Sequence, residues 1–269
     1  MQSPSVAVMS DIHGNRWALE AVLSDIRRRG IRDIVNLGDS LYGPLDPAAT
    51  AAMLIELRLP TVAGNEDRIL LEEPGQHKLS VYPDGPNLSV PFRRQHADAP
   101  SLAFVQANLK SEHRQWIRAL PLNAVAFSDF FLFHGTPEKD NEYFLQEVLA
   151  DGVRRRSEAQ LLEMLKTHMQ PVLLCGHDHS PAFVRLGDGR HVINPGSVGL
   201  PAYRDHDPFP HVMETGSPHA RYSVISRWSS GVAVQNIAVP YDWEAAALTA
   251  EKNGRPDWAC FLRSGRVPA

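Results

Sequence analysis

Five short stretches place a carboxylate, an imidazole or an amide beside a glycine: SDIHGN with Asp11 and His13, LGDS with Asp39, AGNED with Asn65, FHGT with His134, and CGHDH with His177 and His179. Taken singly, each has an ordinary reading. A Gly-Asp pair marks a turn, a lone histidine after a strand is commonly a hydrogen-bonded loop residue, and Asn65 can cap a helix continued by Ile69, Leu70 and Leu71. Together they supply two aspartates, four histidines and one asparagine. This oxygen and nitrogen donor set lacks thiolate and suits Mn, Fe or Zn better than a cysteine-rich structural zinc site does. Seven donors are too many for one tetrahedral ion and fit two ions sharing a bridging carboxylate, for which Asp39 is the natural choice. In an extended chain, residues two apart project to one side. Asp11 and His13 are therefore expected on one face, as are His177 and His179, with Asp178 turned away.

The elements that must bring these groups together follow from hydrophobic periodicity. SVAVMS reads as a buried strand, Asn15 to Arg29 as a helix with Leu19, Val22, Leu23 and Ile26 on one face, and IRDIVNLG as a second strand. Such a β-α-β opening implies parallel strands. A third unit follows, with a helix over Ala48 to Leu57, a short strand PTVAG and a helix from Glu66 to Glu73. Residues 74–100 lose periodicity and read as an insertion near a site. SLAFVQANL and SEHRQWIRAL are predicted helices, the second capped by its serine, and NAVAF and FFLFHG are predicted antiparallel strands. Beyond a helix over Glu158 to Thr167, the runs PVLLCGHDH, AFVRL and HVINPGS read as strands, the last two joined by the hairpin signal GDGR. Residues 200–219 read as an irregular loop, followed by strands ARYSVISR and GVAVQNIAV and two closing helices. Two sheets packed together with helices outside would suit this order. All five ligand-bearing stretches then lie at strand ends, where the loops of an α/β sheet form a crevice.

The bulk properties narrow the setting. The 269 residues carry a net charge of −4, which argues against a dominant nucleic-acid surface, and no apolar run is long enough to span a bilayer. The N-terminus has no basic region followed by an apolar run, so the expected location is cytoplasmic. Two cysteines make no disulfide framework, and Cys175, within PVLLCG, is expected to be a buried thiol.

In their order and spacing, the five stretches resemble the signature of the calcineurin-like metallophosphoesterases: D-x-H, then G-D, then G-N-x-[DE], then H, then G-H-x-H. The likeness runs from Asp11 to His179, and INPGSVG, Ile193 to Gly199, is similar to the segment that follows G-H-x-H in the small phosphodiesterase-like branch. The resemblance implies a single domain over residues 1–269, folded as a four-layer α/β/β/α sandwich of two mixed sheets flanked by helices. It implies one metal on Asp11, His13, Asp39 and His179 and another on Asp39, Asn65, His134 and His177. Asp39, Asn65 and His134 would act through the metals and a bridging hydroxide in line with phosphorus. Many larger members carry histidine where this chain has Glu66, which leaves Glu66 as a candidate acid or as a helix-start residue. Weak leaving-group protonation points to a phosphodiesterase acting on nucleotide or aryl diesters, a small-molecule partner. Dinucleoside polyphosphate hydrolysis, protein dephosphorylation and a non-catalytic scaffold are the competing readings.

Four further residues near the ligand stretches are candidates for substrate contact. Asn15 could bond a phosphate oxygen or cap its helix; Arg68, Tyr42 and Tyr203 could clamp phosphate or stack a base, or be surface groups. His77, His96, His206, His211 and His219 are lid or acid candidates. Arg154 to Arg156 read as a solvated turn, and Asp67 and Asp178 as groups that orient their neighbours.

Overall fold

A computed structural model describes residues 5–72, 99–228 and 231–268. Most of the expected insertion, with His77 and His96, lies outside the described residues. The first half runs β1 (Ser5–Met9), α1 (Arg16–Arg28), β2 (Asp33–Asn36), α2 (Pro47–Leu57), α3 (Asn65–Ile69), α4 (Ala99–Asn108) and α5 (Ser111–Ala119). The second runs β3 (Asn123–Ala126), β4 (Phe130–Phe133), β5 (Gln146–Leu149), β6 (Gly152–Arg155), α6 (Glu158–Met164), β7 (Val172–Leu174), β8 (Ala182–Arg185) and β9 (His191–Asn194). The chain closes with β10 (Ala202–Asp205), β11 (His211–Glu214), β12 (Ala220–Trp228), β13 (Gly231–Val239), α7 (Trp243–Lys252) and α8 (Pro256–Ser264).

Two mixed sheets form, in strand order β13-β12-β1-β2 and β3-β4-β7-β9-β8, with β1-β2, β4-β7 and β7-β9 parallel. Side chains alternate across each strand and so divide the core into layers. Val6 and Val8 of β1 meet Leu132, Val172, Leu174 and Ile193 of the other sheet. Ala7 and Met9, on the opposite face of β1, pack with residues of α1, α2, α7 and α8, including Leu19, Leu54, Ala247 and Trp258. Phe131, Phe133, Leu173 and Cys175 likewise turn outward onto Leu161 of α6 and onto Phe144. Helix, sheet, sheet and helix is therefore the layer order, and Cys175 is a buried free thiol within it. Among the described residues no helix is long and apolar enough to cross a membrane.

Several local expectations are corrected. PTVAG makes only one isolated parallel bridge, Asn36 to Thr61; Pro60 has no N–H, and the Ala63 amide donates to the Pro121 carbonyl instead. The helix expected from Glu66 to Glu73 is one turn, Asn65–Ile69. Ser111 does not cap α5: it is the first helical residue, and the Lys110 amide donates to Nδ1 of His113. Arg154 and Arg155 belong to the β5-β6 hairpin, while Arg156 is ion-paired to Glu142 and Glu147. The irregular stretch 200–219 contains an antiparallel hairpin that pairs Tyr203 with Met213 and Asp205 with His211.

Candidate metal centre

Hydrogen bonds between loops assemble the site before any side chain is considered. Past β1 and β2 the chain is laced by Asp11 N to Gly38 O, His13 N to Asp39 O and Gly14 N to Ser40 O, each 3.0 Å. Asp67 extends the lacing by accepting from Ser40 N at 2.9 Å and Gly64 N at 3.2 Å. Its own carboxyl is pushed up to about 7 by burial and by the nearby Asp39. From the other sheet, INPGSVG closes the ring. Ser197 Oγ donates to Asp11 O at 2.8 Å, Gly199 N donates to the same carbonyl at 3.0 Å, and Asn194 Nδ2 donates to Gly176 O and to Asp178 Oδ1.

The expectation that D-x-H and H-x-H lie on extended backbone is overturned. Asp11, His13, Asp39, His177 and His179 all have positive φ, between 50° and 71°, in the left-handed region that non-glycine residues rarely adopt. Each such residue costs on the order of 1 kcal/mol or more and persists only where its surroundings over-determine it. Here the inter-loop lacing does so. The chain turns back at each of these residues, and this turning, rather than strand alternation, aims the side chains inward.

Two trios result. Asp11, His13 and His179 each offer a donor atom within 4.8 Å of the others, as do Asp39, His134 and His177. The trios adjoin: Asp11 Oδ1 lies 3.2 Å from His179 Nε2 and 3.8 Å from His134 Nε2, which lies 3.2 Å from Asp39 Oδ2. Nδ1 of His13, His134 and His179 faces the carbonyls of Tyr42, Leu37 and Leu200 at 2.9, 2.8 and 2.7 Å. A carbonyl only accepts, so these Nδ1 atoms carry the hydrogen and the Nε2 lone pairs point into the site. His13 Nε2 and His179 Nε2 are 3.2 Å apart, two acceptors that need a cation between them. Asp11 Oδ1, His134 Nε2 and Asn65 Oδ1 are fully enclosed without a hydrogen bond. Such groups are costly unless something positive is meant to meet them.

Electrostatics agree with this reading except at His134, which, against the effect of burial, the Asp39 and Asp11 carboxylates raise to about 10, holding a proton where a cation would take its place. Burial pulls Asp11 and Asp39 upward, but the facing imidazoles, His179 for Asp11 and His134 for Asp39, outweigh it and keep both carboxylates ionised. Burial first, and then neighbouring imidazoles, lower His13 and His177 to about 4, leaving them neutral and able to donate a lone pair at neutral pH. The residues present therefore fit two divalent cations.

The remaining candidates separate. Asn15 is fully buried, its Oδ1 accepting from Ala18 N and its Nδ2 donating to Gly199 O and Tyr241 Oη, so it is a helix cap and a loop tie and has no donor left for phosphate. Asn15→Ala should lower stability by about 1–2 kcal/mol in chemical denaturation, the usual range for a lost cap with an added tie; an unchanged midpoint would contradict this role. The Tyr42 ring is buried on the helix side of the core, which removes it as a stacking surface. Arg68 forms a two-pronged pair with Asp140, at 2.7 and 2.9 Å. Tyr203 packs edge-on against His179, with ring centroids 4.5 Å apart. His206 is exposed, His219 bonds Ser217 Oγ, and His211 is buried against Tyr143. Glu66 donates its amide to Asp39 Oδ1 at 2.8 Å and receives the Asn65 amide on its carboxylate at 3.3 Å. Asp178 accepts from Ser180 N, Asn194 Nδ2 and Gln146 Nε2, the orienting role expected of it.

Sequence reading passed over two aromatic rings packed on candidate ligands and one amide, Asn194, that ties down the loop carrying His177 and His179. Trp258 of α8 packs edge-on against His13, 5.9 Å between ring centroids. Tyr143 does the same to His177 at 4.8 Å. Asn194 was inside a quoted motif but had no assigned contact. An aromatic far along the chain gives no local signal of such a contact, whereas Asn194, beside Pro-Gly after a strand, carried a turn signal.

Comparison with known proteins gives a consistent result. The family model for the calcineurin-like phosphoesterase superfamily domain matches residues 5–215. An uncharacterized protein of Methanocaldococcus jannaschii is 25% identical over 278 residues, covering 96% of both chains. The crystal structure of a metallophosphoesterase from Sphaerobacter thermophilus superposes with a TM-score of 0.72 at 23% identity, covering 98% of this chain and 100% of that one. That likeness shows a shared fold.

Proposed function

From its membership of the calcineurin-like phosphoesterase superfamily, to which the chain belongs over residues 5–215, we propose that this protein is a phosphodiesterase acting on nucleotide or aryl diesters. One ion would be held by Asp11, His13, Asp39 and His179, and a second by Asp39, Asn65, His134 and His177. The observation that carries this reading is the set of enclosed, unpaired donor atoms on Asp11, His134 and Asn65 beside the opposed His13 and His179 nitrogens. When bound, two divalent cations acidify water and stabilise charge on phosphoryl oxygens. The chain supplies the geometry: left-handed backbone at five ligand positions, carbonyl anchors on three imidazoles, and burial that excludes competing water.

Glu66 supports the choice of a diester with a good leaving group. Its amide steadies Asp39 and its carboxylate receives the Asn65 amide, so the side chain orients a ligand and does not stand ready to protonate a departing alkoxide. Aryl and nucleotide leaving groups need no strong acid. Glu66→His should therefore raise turnover of alkyl phosphate esters relative to aryl diesters, read as a ratio of kcat/KM values. An unchanged ratio with both metals still bound would show that the leaving-group preference is set elsewhere.

The function is tested directly by assaying the protein with Mn²⁺ on bis-aryl phosphodiesters, nucleotides, dinucleoside polyphosphates and a phosphopeptide, with metal content measured in parallel. Diester hydrolysis is the expected result. Ready hydrolysis of the phosphopeptide but not the diester would overturn the reading in favour of a protein phosphatase. Two bound ions with no turnover of any ester would point to a scaffold.

A further inference from the structure

The four candidate imidazole ligands are not anchored alike. His13, His134 and His179 each have Nδ1 on a backbone carbonyl, whereas among the described residues the ring of His177 has no hydrogen bond. Yet His177 sits at φ 71° and is half-buried, so something else must fix its direction. Two tyrosines and a histidine, all from outside the five ligand stretches, meet around it. The Tyr143 ring stands edge-on to the His177 ring, 61° between planes. The Tyr203 hydroxyl donates to the His177 carbonyl at 3.2 Å and shares a hydrogen bond with the Tyr143 hydroxyl. The Tyr143 hydroxyl in turn lies 2.8 Å from Nε2 of His211, whose Nδ1 is 2.7 Å from the Phe209 carbonyl. Because Tyr203 spends its one hydrogen on the His177 carbonyl, Tyr143 must donate to Tyr203, and His211, with a hydrogen on each ring nitrogen, donates from Nδ1 to Phe209 and from Nε2 to the Tyr143 oxygen.

We propose that the Tyr143–Tyr203–His211 chain of hydrogen bonds is the positioning device for His177, taking the place of the carbonyl anchor that the other three imidazoles have. The inference rests on the metal-centre reading above. Its physical basis is that a ligand imidazole without an outer partner is free to rotate, and that losing such a partner lowers metal affinity by roughly 10- to 100-fold. The β10-β11 hairpin carries Tyr203 and His211 on its two strands, so its function is to deliver this chain of contacts to the His177 loop. The backbone at Tyr143 is held by the next residue, Phe144, buried against Phe133, and by Arg156, whose Nε donates to the Tyr143 carbonyl. The hydrogen-bond chain ends on His177 alone, while the Tyr203 ring, which also packs on His179, is kept in Tyr203→Phe.

Specificity for one of the two ions makes the proposal testable. His177 belongs with Asp39 and His134, while Asp11, His13 and His179 form the other trio. Mn²⁺ would be titrated calorimetrically into EDTA-treated wild type, Tyr203→Phe, Tyr143→Phe, His211→Leu and His211→Gln, with thermal midpoints recorded for each. The first three variants should bind one ion roughly tenfold or more weakly and the other as in the wild type. His211→Gln, whose side-chain N–H can donate to the Tyr143 oxygen, should recover most of the lost affinity. In a His177→Ala background, Tyr203→Phe should cause no further loss. Wild-type affinity at both ions in the first three variants overturns the proposal. So does equal weakening of both ions with a lowered midpoint and no rescue by glutamine, which would mark a merely structural cluster. If the wild type itself takes up no Mn²⁺, the metal-centre reading fails and this inference with it, an outcome distinct from a wild type that binds two ions beside indifferent variants.

Discussion

Asp39→Ala is expected to reduce bound metal from two ions to one or none and to lower diester turnover by about a thousandfold, the loss typical of removing a group aimed at developing charge. Asp39 supplies the sole carboxylate of its trio, and its two oxygens have separate tasks. Oδ1 accepts the Glu66 amide at 2.8 Å, and Oδ2 faces His134 Nε2 at 3.2 Å. Truncation therefore removes a ligand and also takes away the acceptor that Asp39 gives the Glu66 amide at the start of α3, where Asn65 sits. Asp39→Asn separates the two effects. It keeps an acceptor for the Glu66 amide but not the charge, so it should retain the thermal midpoint while losing metal and activity. Elemental analysis, steady-state kinetics and thermal unfolding of both variants decide the matter. Full metal content and wild-type turnover in Asp39→Ala would rule out the two-ion assignment.

How much of this site could be read in the sequence depends on whether its cause was local. Alternation along β1, with Val6 and Val8 on one face and Ala7 and Met9 on the other, sets layers directly, which is why the sandwich was legible. The seven ligand-type residues were legible because each ends an apolar run beside a glycine. The backbone that aims them was not. Left-handed φ at Asp11, His13, Asp39, His177 and His179 has only a weak propensity signal: Asp and His adopt it more often than most side chains do, but far less readily than glycine. It is imposed by hydrogen bonds such as Asp11 N to Gly38 O and Gly199 N to Asp11 O, which join residues far apart in the chain.

The two missed hairpins failed for different reasons. β5-β6 turns through the two residues Ala150-Asp151, because Leu149 pairs with Gly152; Asp-Gly therefore straddles the turn and the first strand residue and does not fill the two loop positions where it signals a hairpin. β10-β11 is hidden by the proline-, aspartate- and histidine-rich DHDPFPH, whose composition reads as loop. Its strands are secured by burial of Ala202, His211 and Met213 and by Tyr203 packing on His179. Substrate-contact candidates fared worst because proximity in sequence is a poor guide to direction: Asn15 and Tyr42 lie near ligands and turn into the core.

The largest stability effect is expected from Gly199→Ala. A Cβ at Gly199 would lie 1.8 Å from the Ile12 carbonyl oxygen, 2.6 Å from its carbon and 2.8 Å from Asn15 Cβ. Two of these atoms are main chain of the loop between Asp11 and His13, so no side-chain rotation relieves the clash. Either the 197–200 segment or the ligand loop must move. Movement breaks the bond from Gly199 N to Asp11 O at 3.0 Å and the one from Asn15 Nδ2 to Gly199 O at 2.9 Å. Overpacking of this kind, together with two lost buried hydrogen bonds, costs about 3 kcal/mol or more. For a chain of this size the midpoint should fall by roughly 6–12 °C. Metal binding should weaken as well, chiefly at the trio containing Asp11 and His13. Gly189→Ala is the control: its φ of +93° makes alanine strained, but nothing lies within 4 Å of the added Cβ. Strain alone should cost about 1–2 kcal/mol and leave both ions bound. If Gly199→Ala is no more destabilising than Gly189→Ala and binds metal normally, then the close approach of INPGSVG to the ligand loop does not hold the site together, and the lacing between β1 and β2 must suffice.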